Sequence, residues 1–403
     1  MLSSIKRFLR QYLFLGWTFN ALILLAGSSH SLHSASQQDA QIWYGPGTLN
    51  TVTRGIRDDF LQQFTDVKNW KTTYQEQPVF KQFIETIYPQ TLASTGRPRY
   101  SDQDLARLAK FTREAGLKCA FEFGALRWSA KNHGKGSGIR YAQEEIELLR
   151  RWQRLGGSVD YLTTDHAVMW NLGLCLQGSK PMAPYVKDPD WREIADEVVQ
   201  SLAMFKVAFP DVKIGMIESL GYFSITGGDG HAYQTTSPAD IYPIDFKEFM
   251  EVMQQKLAAV NIELDHFHID YSYQDCVFDA GNRGRKGLDF NRAIGAEKII
   301  KSMGIQSGII VNAYDDQTYA EIGGSNRVQE KQRAKNAEER SRSGVKNTLE
   351  YFDAYVESGG SPDTWIFQRW MPYPDRTGPE SLESSDMGLT KQLVERLNDI
   401  PQQ

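Results

Sequence analysis

His266-Phe267-His268-Ile269-Asp270 alternates ionisable with apolar side chains and ends on a carboxylate. Successive side chains of a strand point to opposite faces, so Phe267 and Ile269 share one face and His266, His268 and Asp270 the other. In a parallel strand covered on both sides, an ionisable group aimed at an apolar layer of helices is left without a partner, which is costly. A closed barrel removes the conflict. Phe267 and Ile269 face the helices, the ionisable set faces the interior, and Asp270 stands nearest the mouth, where such barrels keep their chemistry.

The same form recurs along the chain. Ala120-Phe121-Glu122, Val159 to Asp165 and Ile214 to Glu218 are short apolar runs that end in acids, and stretches with helical apolar spacing lie between them. The alternation predicts an α/β protein, a (β/α)₈ TIM barrel. Its strands are expected at Gln41–Gly47, Thr91–Thr95, Lys118–Phe123, Val159–Asp165, Val212–Glu218, Leu264–Tyr271, Gly308–Asn312 and Thr364–Trp370. Helices are expected over Pro78–Tyr88, from Ser101 to Ala115, and over Tyr141–Leu155, Trp191–Phe209, Phe246–Val260, Phe290–Met303, Ala337–Glu357 and Leu389–Leu397. The connections Ser219–Pro243 and Tyr273–Asp289 are long and follow strand C-termini, as site-forming loops do.

A chain of 403 residues, 41% of them hydrophobic, is long enough for one barrel domain from about residue 37 to 403. The net charge of −5 argues against nucleic acid as a partner. Lys6, Arg7 and Arg10 precede an apolar run from Tyr12 to Gly27 and a small, polar stretch to Ser36. That is the layout of a signal peptide, with cleavage after Ser28 or Ser36, and it implies a secreted or periplasmic protein. If the segment is retained, the protein is instead anchored to the membrane. Cys119, Cys175 and Cys276 are an odd number with wide spacing and form neither a disulfide framework nor a zinc site; Cys175 and Cys276 are the pair that the fold would have to bring together. Gly227-Gly228-Asp229-Gly230 lacks the Lys-Ser/Thr of a phosphate loop and is expected to be a turn.

Glu122, Asp165, Glu218 and Asp270 therefore fall at the ends of neighbouring strands and are the catalytic candidates. Crowded carboxylates raise one another's pKa, which lets one stay protonated as an acid while its neighbour is ionised. Aromatic residues gather at the same ends, among them Trp43, Tyr44, Trp128, Trp170, Tyr222, Tyr271, Tyr273, Tyr314, Trp370 and Tyr373. Flat rings suit the C–H faces of sugars. Of these, Trp43, Tyr44, Trp128, Tyr271 and Trp370 are taken as substrate-binding candidates, with His166, His268, Asn312 and Gln368 as polar contacts. His268 lies one inward layer below Asp270, within reach of orienting it.

Through these strand-end acids, and through Val159-Asp160-Tyr161-Leu162-Thr163-Thr164-Asp165 in particular, the chain resembles the (β/α)₈ glycoside hydrolases. The segment is similar to the fourth-strand nucleophile segment of retaining α-galactosidase-type enzymes, while the Asn-Glu pair of the largest retaining β-glycosidase clan has no counterpart on this strand. An α-amylase-like plan implies Asp165 as nucleophile with Glu218 as acid/base; an α-galactosidase-like plan implies Asp165 with Asp270. The resemblance implies an oligo- or polysaccharide substrate and no cofactor or metal. Two other readings of the same residues are a metal-dependent sugar isomerase or hydrolase, with Glu218, Asp270 and His268 as ligands, and a carbohydrate-binding barrel without catalysis.

Overall fold

Eight parallel strands close on themselves in the computed structural model. It describes residues 40–46, 49–50, 55–56, 59–64, 70, 79–88, 100–126, 136–176, 190–235, 244–284, 286–313, 336–369 and 373–400. The strands are β1 (Gln41–Gly45), β2 (Val79–Phe83), β3 (Lys118–Phe123), β4 (Tyr161–Asp165), β5 (Lys213–Ser219), β6 (His266–Asp270), β7 (Gln306–Ile310) and β8 (Thr364–Gln368). Each pairs with its neighbours in sequence order, and β8 returns to β1 with Gln41 opposite Thr364 and Gly45 opposite Gln368.

Outside lie α1 (Asp102–Glu114), α2 (Ser137–Arg154), α3 (Trp191–Ala208), α4 (Phe246–Ala258), α5 (Asn291–Ser302), α6 (Ala337–Glu357) and α7 (Asp386–Asn398). Their ends follow local rules. Ser101 and Asp104 form a reciprocal capping box at the start of α1, a device worth about 1 kcal/mol, and Gly116 takes the left-handed backbone that stops the helix. Glu197 on α3 caps α2 from outside, accepting from the backbone N–H groups of Gly136 at 2.7 Å and Gly138 at 3.0 Å. Gly227–Gly230 is a turn between Phe223–Thr226 and Ala232–Tyr233, which pair antiparallel.

The second strand differs from expectation. Pro78–Tyr88 was expected as a helix, but Val79–Phe83 is β2 and Ile84–Ile87 a 3₁₀ turn. Val-Phe-Lys-Gln-Phe is too short to separate period 2 from period 3.6, and β2 hides both its faces. Thr91–Thr95 and residues 1–36, expected as a signal peptide or an anchor, lie outside the described residues, and the eight barrel places are filled without them. No helix of the described residues is long and apolar enough to cross a membrane.

Two apolar layers result. One lies between strands and helices; the other fills the barrel with Trp43, Val79, Ala120, Tyr161, Ile217, Ile310 and Ile366. Trp43 occupies the middle, its ring 4.7 Å from Tyr161, 5.1 Å from His266 and 4.6 Å from His268. The two imidazoles need room that only glycine leaves: a Cβ on Gly215 would lie 1.9 Å from the His266 ring, and one on Gly308 would lie 2.7 Å from His268. At the lower end, acids tie neighbouring strands together. Asp160, Asp265 and Asp363 each accept a backbone N–H at 2.8 Å, from Cys119, Ile214 and Ser307.

Candidate active site

At the mouth, the chain leaves β4 through an unusual turn. His166 has φ +46°, a left-handed backbone that side chains with a Cβ seldom adopt. The turn reverses the alternation that would have sent this ring outward, and the imidazole comes to lie between two carboxylates. Nδ1 is 2.5 Å from Asp165 Oδ1, and Nε2 is 3.3 Å from Asp270 Oδ2. Burial alone would lower the His166 pKa, but Asp165 and then Asp270 outweigh it and hold the ring well above its usual value, as an imidazolium. Burial likewise pushes Asp165 up, and the charge and hydrogen bond of His166 reverse this and hold it below the ordinary carboxylate range. Asp270 is fixed from behind, because the chain after β6 is pinned by the Ser272–Asp275 capping box that starts the helix Tyr273–Asn282.

A second carboxylate group lies deeper, between β2, β3 and β8. Glu122 Oε2 receives Lys81 Nζ at 2.6 Å and Gln368 Nε2 at 2.8 Å, and Lys81 also donates to Gln368 Oε1. Both members of the ion pair are almost completely buried. Burial raises the Glu122 pKa, the Lys81 ammonium opposes it, and Asp165 adds to the rise. Lys81 escaped the sequence reading because its strand was taken for a helix. Glu122, Asp165, His166, Trp170 and Asn171 line a common cavity of about 140 Å³.

Glu218 is not at the mouth beside Asp165. It has the outward parity of Ile214 and Met216, whereas Ile217 points into the barrel, because successive side chains of β5 alternate between its faces. Its side chain is completely buried, and burial pushes its carboxyl up to about 8, against the opposing charge of His166. An α-amylase-like pairing of Asp165 with Glu218 across one substrate therefore does not fit the geometry.

The binding candidates divide. Trp43 is barrel filling, and Tyr44 faces the outer layer against Trp70 and Phe80. Tyr271 is buried with its hydroxyl on Asp279 and the Asp289 carbonyl. None of these three is a sugar platform: at a two-sided buried strand an aromatic packs as well into either layer. His268 does not orient Asp270; neither of its ring nitrogens has a protein partner among the described residues, and burial holds its pKa well below the usual value. Asn312 accepts from Arg369 at 2.7 Å, and Gln368 is spent on Glu122 and Lys81. Trp128 and Trp370 lie outside the described residues. Cys276 is a buried free thiol, and the side chain of Cys175 lies outside the described residues.

Two rings from the longer set of strand-end aromatics do stand at the mouth. Trp170, on the helix Met169–Leu176, is 46% exposed with its ring 5.6 Å from His166, and Tyr222 stands edge-on to His166 at 6.4 Å. The turn at His166 leads into the helix that carries Trp170, and the 3₁₀ turn Leu220–Tyr222 after β5 carries Tyr222. Glu218, Asp270 and His268 do not converge, and among the described residues no group of three or more His, Cys, Asp or Glu side chains is arranged to hold a metal ion.

No protein-family model matches the chain, and no curated protein matches it. Solved structures with a similar course include a GH10 endoxylanase from a sugarcane soil metagenome, with 10% identity, 89% of this chain and 98% of that one covered, and a TM-score of 0.46. The catalytic domain of the β-amylase from Paenibacillus polymyxa matches at 11% identity over 89% of this chain and 99% of its own, with a TM-score of 0.43. The D-psicose 3-epimerase of Clostridium cellulolyticum H10 matches at 10% over 89% and 97%, with a TM-score of 0.40. Hydrolase and epimerase stand side by side at this distance, so the likeness says nothing of the reaction; the strand order and closure establish the chain as a (β/α)₈ barrel.

Proposed function

We propose that the chain is an exported glycoside hydrolase that cleaves an oligo- or polysaccharide with Asp165 and Asp270 as its reacting carboxylates. The observation that carries the reading is the single imidazolium at the barrel mouth, touched by one carboxylate from β4 and one from β6. Two acids on strands β4 and β6 that meet the same ring can flank one glycosidic bond, as the acid pairs of such enzymes do. Asp165, held ionised, is the nucleophile: it spends Oδ1 on His166 and keeps Oδ2 for the anomeric carbon. Asp270 is the acid/base, with His166 Nε2 3.3 Å from its Oδ2 to supply a proton. In the first step Asp270 gives its proton to the leaving oxygen as Asp165 Oδ2 bonds to the anomeric carbon and the glycosidic bond breaks; in the second Asp270 takes a proton from the water that attacks that carbon, and the bond to Asp165 breaks to release the sugar. Trp170 and Tyr222 offer faces for the rings of the substrate.

The experiment is release of reducing ends by the mature chain, from about Gln37, from a panel of polysaccharides and aryl glycosides with and without chelator. The reading expects release that survives chelator and is lost in Asp165→Asn. Sugar binding without release in any condition would make this a binding barrel, and release abolished by chelator would return the metal-dependent reading.

A further inference from the structure

We propose that Glu218 is a positioning residue, whose carboxyl fixes from behind the β4–β5 seam the turn that presents His166 to Asp165 and Asp270. The inference rests on the reading of those two aspartates as the reacting pair, and it concerns a group that cannot itself reach a substrate.

A carboxyl on the helix-facing side of β5, among Ile214 and Met216, has no place in an apolar layer unless something there requires it. The turn after β4 is what it meets. Glu218 Oε1 accepts the Val168 N–H at 3.4 Å, two residues past the left-handed His166. The preceding residue of β5 holds the other side of the same turn, for the His166 N–H donates to the Ile217 carbonyl at 2.9 Å. Further on, Trp170 N–H donates to the His166 carbonyl at 3.0 Å. A left-handed residue with a Cβ costs about 1–3 kcal/mol and persists only where its surroundings over-determine it. Residues 217 and 218 are those surroundings.

The second oxygen, Oε2, is buried and has no hydrogen-bond partner among the described residues. Such an oxygen can carry the proton of a neutral carboxyl, leaving Oε1 as the acceptor for Val168. The titratable groups that face Glu218 are Asp165 and His166 from the end of β4 and the Tyr222 phenol from the turn after β5. A neutral Glu218 adds no third negative charge behind Asp165. Once ionised it does, and it competes with Asp165 and Asp270 for the imidazolium.

The test uses the whole mature chain. A ¹⁵N titration of the His166 imidazole is expected to show a step near pH 8 in the wild type, where Glu218 loses its proton, and no such step in Glu218→Gln. In hydrolysis, Glu218→Gln is expected to keep kcat within about threefold at pH 6, since its amide oxygen still accepts from Val168, and to lose the fall in kcat seen by the wild type near pH 8. Glu218→Ala, which leaves Val168 without an acceptor, is expected to lose about 10²-fold in kcat across the pH range with KM little changed. A step near pH 8 that persists in Glu218→Gln would overturn the inference, as would a Glu218→Gln enzyme as dead at pH 6 as Asp165→Asn. If the wild type hydrolyses no glycoside, the hydrolase reading falls, while the imidazole titration still decides whether Glu218 is coupled to His166.

Discussion

Two carboxylate groups of the same barrel, one on β3 and the other beginning on the adjacent β4, have opposite settings. Between β2, β3 and β8, Glu122 is closed in with Lys81 and Gln368 and almost no water reaches it. Between β4 and β6, Asp165 and Asp270 share His166 and keep 26% and 20% of their side chains exposed. The first pair is balanced charge for charge. The second leaves two acids on one cation, and it is open to a ligand. What distinguishes a structural acid from a candidate reacting acid is thus its count of cations and its access to water, rather than its place at a strand end.

The comparison can be broken hardest at Asp165. Asp165→Asn removes the anion and should lower turnover about 10⁴-fold while circular dichroism and melting stay close to wild type. On the other side, Lys81→Met leaves Glu122 buried and unpaired, which should cost about 3–5 kcal/mol in urea unfolding. Adding Glu122→Gln should restore much of that loss, because the lone charge is then gone. Recovery of nothing would show that the deep pair does more than balance itself.

Glu218 sharpens the comparison through pH. Its carboxyl ionises near the ordinary 4.5 when unfolded and near 8 when folded, so between these values the folded state holds one extra proton and loses stability as pH rises. Glu218→Gln carries no such proton. Its stability relative to wild type should climb from pH 5 to 8 by about 2–4 kcal/mol and then level off, as read by chemical denaturation at several pH values. The smallest effect belongs to Trp170: Trp170→Ala should raise KM about fivefold through lost stacking of about 1 kcal/mol, with kcat and melting temperature almost unchanged.

Much of the barrel was legible because its strands end in acids and its helices carry strong stops. Lys118–Phe123 and Ala337–Glu357 fall where the spacing puts them, and Ser101 and Gly116 bound α1 as capping chemistry requires. β2 was hidden because five residues buried on both faces carry no period. The site was less legible. Alternation along β6 places Asp270 inward, and the same alternation along β5, with Ile214 and Met216 outward, leaves Glu218 facing the helices. Alternation alone would turn His166 away from Asp165, and only its left-handed backbone brings the ring back. That conformation depends on contacts from β5, which no local pattern encodes. Tyr44 and Tyr271 show the limit for aromatics: a ring at a strand end belongs to the wall or the mouth according to the layer that it packs into.

The most direct measurement is turnover of one glycoside by three purified proteins: the Lys81→Met/Glu122→Gln double variant, Asp165→Asn and Asp270→Asn. If the reaction belongs to β4 and β6, the double variant keeps turnover within about tenfold of wild type, and the two aspartate variants lose nearly all of it. A folded double variant as inactive as Asp165→Asn, or an Asp165→Asn protein with full turnover, would contradict the assignment.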